Sequence, residues 1–183
     1  MLRVAYLGRR TIGRECRKLI AAQPGVDLVR FDAEPELVVS IVGTCIFTLA
    51  EISRVPLGII NLHLAPLPEY RGRYSFTHAI LNGEDMFGVA LHYVTEELDA
   101  GPVIAERRFS VRPDDTAWRL YLRAQRSGRE LFDDVLPGIL FAAFCGGRVA
   151  AVPQDETRAY YYDRHSLPTN DGSPLMARAL AWR

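Results

Sequence analysis

Leu57-Gly58-Ile59-Ile60-Asn61-Leu62-His63-Leu64 (LGIINLHL) is the stretch on which the fold turns. Its length and branched apolar content are those of a buried strand. Pro66 and Pro68 end it, because proline donates no backbone N–H to a ladder. Strand side chains alternate between faces, and residues i and i+2 lie about 6–7 Å apart on one of them. Asn61 and His63 therefore aim two polar groups at one spot, with Ile60 and Leu62 on the opposite face.

Upstream, Leu37 to Val42 (LVVSIV), Val26 to Phe31 and Leu2 to Leu7 (LRVAYL) read as further strands. Thr11 to Ala22 places Ile12, Cys16, Leu19 and Ile20 at helical spacing, and Pro24-Gly25 stops it. Phe47 to Ser53 predicts one or two helical turns. Strands alternating with helices predict an α/β fold with a parallel sheet. Downstream, Tyr74 to Asn82 predicts a helix. Phe87 to Val94 and Val103 to Val111 predict paired strands around the loop Thr95 to Pro102. Asp114 or Asp115 is expected to cap a long helix towards Ala143, kinked or divided at Gly128 and at Pro137-Gly138. Arg148 to Val152 and Arg158 to Tyr162 are expected to form a hairpin, and the tail from His165 to be loosely ordered. Residues 1–152 are read as one domain and 153–183 as a hairpin and tail.

Composition narrows the function. Lys+Arg and Asp+Glu both number 22, so a zero net charge gives no general attraction to nucleic acid. No apolar stretch approaches membrane-spanning length. Arg9, Arg10 and Arg14 follow the first apolar run at once, so no signal-peptide core is expected. Cys16, Cys45 and Cys145 are scattered, with no metal-ligand spacing. A cytoplasmic protein without a metal is expected.

Two features carry chemistry. Asn61 and His63 stand at the carboxyl end of a parallel strand, where open α/β sheets bind ligands. Asp99 lies in Glu97-Leu98-Asp99-Ala100-Gly101-Pro102, between two apolar strands. A carboxylate there would hold a nearby histidine in its charged form and accept a proton. The competing readings are a strand-end pair satisfied by backbone and a turn-forming aspartate. His92 and His78 read as structural, and Trp118 and Tyr121 as core.

The run Asn61 to Gly72 (NLHLAPLPEYRG), followed by His78-Ala79-Ile80, Gly83, Gly88, His92 and Leu98 to Pro102, resembles the formyl-folate-dependent formyltransferases over roughly residues 36 to 140. A weaker echo lies in Gln154 to Tyr162. The resemblance implies a Rossmann-like parallel sheet, shortened in its N-terminal half by about one strand–helix unit between Phe31 and Leu37, with a small C-terminal α+β portion. It implies Asn61, His63 and Asp99 as the catalytic set and N10-formyltetrahydrofolate as formyl donor. The folate pocket would comprise Val42, Gly43, Thr44, Cys45 and Ile46 with Leu98 and Gly101. Tyr70, Arg71, Arg73 and Tyr74 are candidates for holding the acceptor amine.

Residues 8–13 (GRRTIG) lack the GxGxxG spacing, and no Gly-Ser phosphate loop is present. The methionyl-tRNA members of the family that the chain resembles carry a second, barrel-like domain, and the stretch after Pro153 is expected to be too short for it. A nucleotide-linked amino sugar is therefore the expected acceptor. Formylation of a small free amine, and a non-catalytic folate- or nucleotide-binding relative, are the alternatives. No nucleic-acid or membrane partner is expected, and a homodimer is left open.

Overall fold

The structure, a computed structural model, describes all residues except 9, 44, 164 and 183. Its centre is a sheet of six strands in the order β2-β1-β3-β4-β6-β7. Strands β1 (Leu2–Gly8), β2 (Val26–Val29), β3 (Leu37–Ile41) and β4 (Ile59–His63) run parallel. The last two strands of the sheet, β6 (Met86–Tyr93) and β7 (Val103–Ser110), are antiparallel. The register sets Ser40 beside Asn61, and Asn61 beside His92. Side chains paired across strands share a face, so these three polar groups form a row across the sheet.

The two faces are covered unequally. Ile60, Leu62 and Leu64 pack with Ile12, Cys16 and Ile20 of α1 (Arg10–Ala21) and with Leu131, Phe132 and Leu136 of α4 (Ala117–Phe144). The opposite face presents Ala5, Val38 and Ile59, covered by Phe31, Phe47, Ile52 and Val55. The helix on that side, α2 (Leu49–Ser53), is one turn held by a capping box between Thr48 and Glu51. This thin cover leaves Asn61 and His63 half-buried at the carboxyl end of β4.

Residues 30–36 join β2 to β3 without a helix, which matches the missing unit expected there. The register makes this feasible: Val29 is level with Ala5 and Leu37 with Val4, so the chain has little distance to return.

Four expectations need correction. Helix α4 runs unbroken through Gly128 and Pro137. Pro137 and Asp133, whose carbonyl loses its partner, both lie on the exposed face, where water satisfies the freed group. Gly128 is a packing residue, since a Cβ there would come within 2.9 Å of Leu64 Cδ2. The α4 cap is Thr116, which accepts the Arg119 N–H; Asp115 is buried, accepting from the Arg112 N–H and pairing with Arg123.

The expected hairpin is absent among the described residues. Val152 instead bridges Val103, and β8 (Tyr161–Tyr162) pairs with β5 (Arg71–Gly72). The tail carries α5 (Pro174–Leu180), capped by Ser173 and burying Met176 and Ala179. Ala179 packs with Ala79 and Ile80 of α3 (Ser75–Leu81) and with Leu120 of α4, so the tail closes the core around Tyr70 and Phe87. The polar turn formers from Pro168 to Ser173 had hidden this short helix.

Candidate active site

Asp99 reaches the end of β4 from the loop between β6 and β7. It adopts φ 55°, a conformation that Asp tolerates better than most residues. Gly101 makes the turn possible: a Cβ there would fall 1.8 Å from the Tyr93 carbonyl oxygen. The Asp99 carboxylate is buried and lies between two imidazoles, with Oδ2 3.6 Å from His63 Nδ1 and Oδ1 3.5 Å from His92 Nε2. The Gly72 N–H donates to Oδ2 at 2.9 Å.

Backbone carbonyls fix the two rings. His63 Nε2 lies 2.7 Å from the Tyr70 carbonyl, and His92 Nδ1 lies 2.9 Å from that of Tyr93. A neutral imidazole donates from one nitrogen only. With Nε2–H given to Tyr70, the other ring nitrogen of His63, Nδ1, faces Asp99. With Nδ1–H given to Tyr93, neutral His92 accepts at Nε2 from Asn61 Nδ2 at 3.1 Å; when protonated it donates from Nε2 to Asp99 Oδ1 instead. The second Asn61 N–H has no partner among the described residues. Asn61, His63 and Asp99 thus converge, and His92, read from sequence as a strand residue, links them.

Burial alone would raise the Asp99 pKa. The charge of His63, the approach of His92 and the Gly72 amide outweigh it and hold the carboxyl well below the usual carboxylate range. A lowered native value stabilises the fold in full above the unfolded-state value, about 3.9, and that stabilisation is lost as pH falls through it towards the native value. The urea midpoint of the wild type should therefore fall more steeply than that of Asp99→Asn below about pH 4. Parallel curves would show that Asp99 is not held charged.

A small cleft opens beside the trio, lined by Asn61, His92 and Asp99 at its floor. Of the residues proposed for the folate, Gly43, Cys45, Ile46 and Leu98 line it, joined by Ser40, Phe47, Val94, Thr95 and Glu96. Val42 does not: its backbone N–H binds the Leu62 carbonyl and its side chain joins the main core. Gly101 lies beneath Tyr93 rather than in the cleft, and Thr44 lies outside the described residues.

Two of the acceptor candidates are occupied elsewhere. Tyr70 is buried, stacks on Tyr162 and donates its hydroxyl to Glu84 at 2.6 Å. Burial and that bond push its phenol pKa up, so its contribution here is the carbonyl that holds His63. Arg71 is buried, with its guanidinium on Glu156 at 2.6 Å and on Gln154 at 2.9 Å. Arg73 and Tyr74 are exposed immediately after Gly72.

The sequence profile of the formyl transferase family matches residues 22–136, more than half of the chain. The chain belongs to the formyl transferase family. Solved structures share this formyl transferase's fold. A 4-N formyltransferase from Francisella tularensis is 17% identical, with a TM-score of 0.81 over 97% of this chain and 87% of that one. An N-formyltransferase from Helicobacter canadensis, solved with folinic acid and dTDP-3-aminofucose, is 17% identical, with a TM-score of 0.80 over 98% of this chain and 79% of that one. A likely sugar N-formyltransferase from Mycobacterium tuberculosis is 23% identical, with a TM-score of 0.75 over 99% of this chain and 88% of that one. At these identities the likeness is one of fold. No helix among the described residues is long and apolar enough to cross a membrane.

Proposed function

We propose that this formyl transferase moves a formyl group from N10-formyltetrahydrofolate to the amino group of a nucleotide-linked amino sugar. The observation that carries the reading is the single carboxylate held between two imidazoles at the floor of a cleft beside Asn61. The cleft suits a flat ring edged with donors and acceptors. Ile46, Phe47 and Leu98 offer apolar walls, and Ser40 and Asn61 offer polar groups. A Cβ on Gly43 would collide with Ser40 Oγ, so glycine keeps this corner open.

The donor supplies an activated formyl carbon. As the amine attacks, negative charge gathers on the formyl oxygen and positive charge on nitrogen. The second Asn61 N–H and a protonated His63 Nδ1 are the donors for that oxygen. The Asp99 carboxylate balances the charge on nitrogen and on His63, and the departing amine proton passes to the Asp99–His63 pair; when the tetrahedral centre collapses, the bond from the formyl carbon to N10 breaks and N10 takes up that proton, leaving as tetrahydrofolate. Asn61, His63 and Asp99 are the residues to which we assign these roles. Arg73 and Tyr74 are our candidates for the acceptor, Arg73 for a diphosphate and Tyr74 for a base or sugar face. Of the solved relatives, one holds the amino sugar dTDP-3-aminofucose with folinic acid, and another holds a formamido sugar, UDP-4,6-dideoxy-4-formamido-L-AltNAc, with tetrahydrofolate.

Incubation with N10-formyltetrahydrofolate and a panel of nucleotide-linked amino sugars should give one product heavier by one formyl group. Formylation of free small amines alone would reject the nucleotide-sugar acceptor and keep the donor.

A further inference from the structure

After α4 the chain returns to the sheet, Val152 bridges Val103, and Pro153 delivers Gln154 against the Asp99 loop. Every hydrogen-bonding group of the Gln154 amide is used. Nε2 donates to the Asp99 carbonyl at 2.8 Å and to the Gly101 carbonyl at 2.7 Å. Oε1 accepts from Arg71 Nε at 3.1 Å and Nη2 at 2.9 Å. The two carbonyls belong to the tight turn in which Asp99 has φ 55°, and like dipoles aimed at one point repel unless a donor lies between them. Gln154 supplies that donor. Glu156 then holds Arg71 from the other side. Arg71 directly precedes Gly72, whose N–H holds the Asp99 carboxylate. Asp99 is thus pinned at its backbone by Gln154 and at its carboxylate by Gly72, and both restraints meet at Arg71.

We propose that Gln154 is a positioning residue for the reaction: its amide clamps the carbonyls of Asp99 and Gly101 and so fixes the carboxylate against His63 and His92. The proposal rests on the formyl-transfer reading above. It extends the catalytic apparatus past residue 152 into the C-terminal segment. Separations of 3.5 and 3.6 Å at the two imidazoles leave little slack, and a misplacement of about 1 Å at a reacting group costs on the order of 10²-fold in rate.

The test uses the full chain and Gln154→Glu. Glutamate keeps the shape and the acceptor for Arg71 but has no N–H for the carbonyls. The kcat should fall by about 10- to 100-fold, with the donor KM changed far less. Amide hydrogen exchange by NMR reads the geometry whether or not chemistry occurs. The Gly72 amide, which binds Asp99, should exchange at least about tenfold faster in the variant, as expected for a lost protecting bond. The Arg73 amide, which donates to the Tyr162 carbonyl at 2.8 Å, should keep its protection. Unchanged Gly72 protection, or kcat within twofold of wild type, would overturn the proposal. Equal loss at Gly72 and Arg73 would reduce Gln154 to a structural role and overturn it as well. A wild type that transfers no formyl group would refute the functional reading instead, with the exchange result still deciding whether Gln154 places Asp99.

Discussion

Asp99→Asn is expected to lower kcat by at least about 10²-fold, the loss typical when a group that handles a proton in the transition state is removed. The substitution is isosteric. Its side-chain oxygen can still accept from Gly72, so the loop keeps its shape, while the charge facing His63 and His92 disappears. The amine nitrogen then loses its counter-charge, and His63 Nδ1 loses the carboxylate it faces at 3.6 Å. The measurement is steady-state formyl transfer, with tetrahydrofolate binding followed in parallel. Near-normal turnover would remove Asp99 from the mechanism. A wild type without turnover, with tetrahydrofolate binding retained in it and in the trio variants, would favour the reading of this chain as a binding protein.

His63→Asn should cost about 10²- to 10³-fold in kcat, comparable to the loss of one oxyanion donor elsewhere. Asparagine can place an amide N–H near the position of Nδ1, but it carries no positive charge for the oxyanion and loses the Nε2 contact with the Tyr70 carbonyl. Residues acting as a unit are strongly non-additive when removed together. The double variant with Asp99→Asn should therefore be little slower than the worse single variant. A multiplicative loss would mean that the two residues act independently, contrary to their 3.6 Å contact.

What the sequence made legible followed local periodicity. Leu57 to Leu64 read correctly because a strand's period of two separates Ile60 and Leu62 from Asn61 and His63 without outside information. The strand pair around the Asp99 loop read correctly for the same reason. Features built on distant backbone groups did not. The Gln154 contacts with the Asp99 and Gly101 carbonyls lie more than fifty residues away in sequence, and a carbonyl carries no residue identity to read. His92 stands in an apolar run, FGVALHYV, where one polar residue reads as an oddity of a strand. Only the register that sets it beside Asn61 shows its place. Arg71 read as a candidate for holding the acceptor because nothing local reveals Glu156 and Gln154. Pro137 read as a helix breaker, although its position on the exposed face of α4 makes the lost bond tolerable.

The most direct test follows the formyl carbon itself. Wild type and Asp99→Asn are each mixed with donor labelled with carbon-13 in the formyl group and with a nucleotide-linked amino sugar, and the label is tracked by NMR. The account predicts that in wild type the label leaves the donor and appears as a formamide on the sugar nitrogen, and that in the variant it stays on the donor over the same interval. Label released as free formate, retained on the donor in both proteins, or transferred equally by both would contradict it.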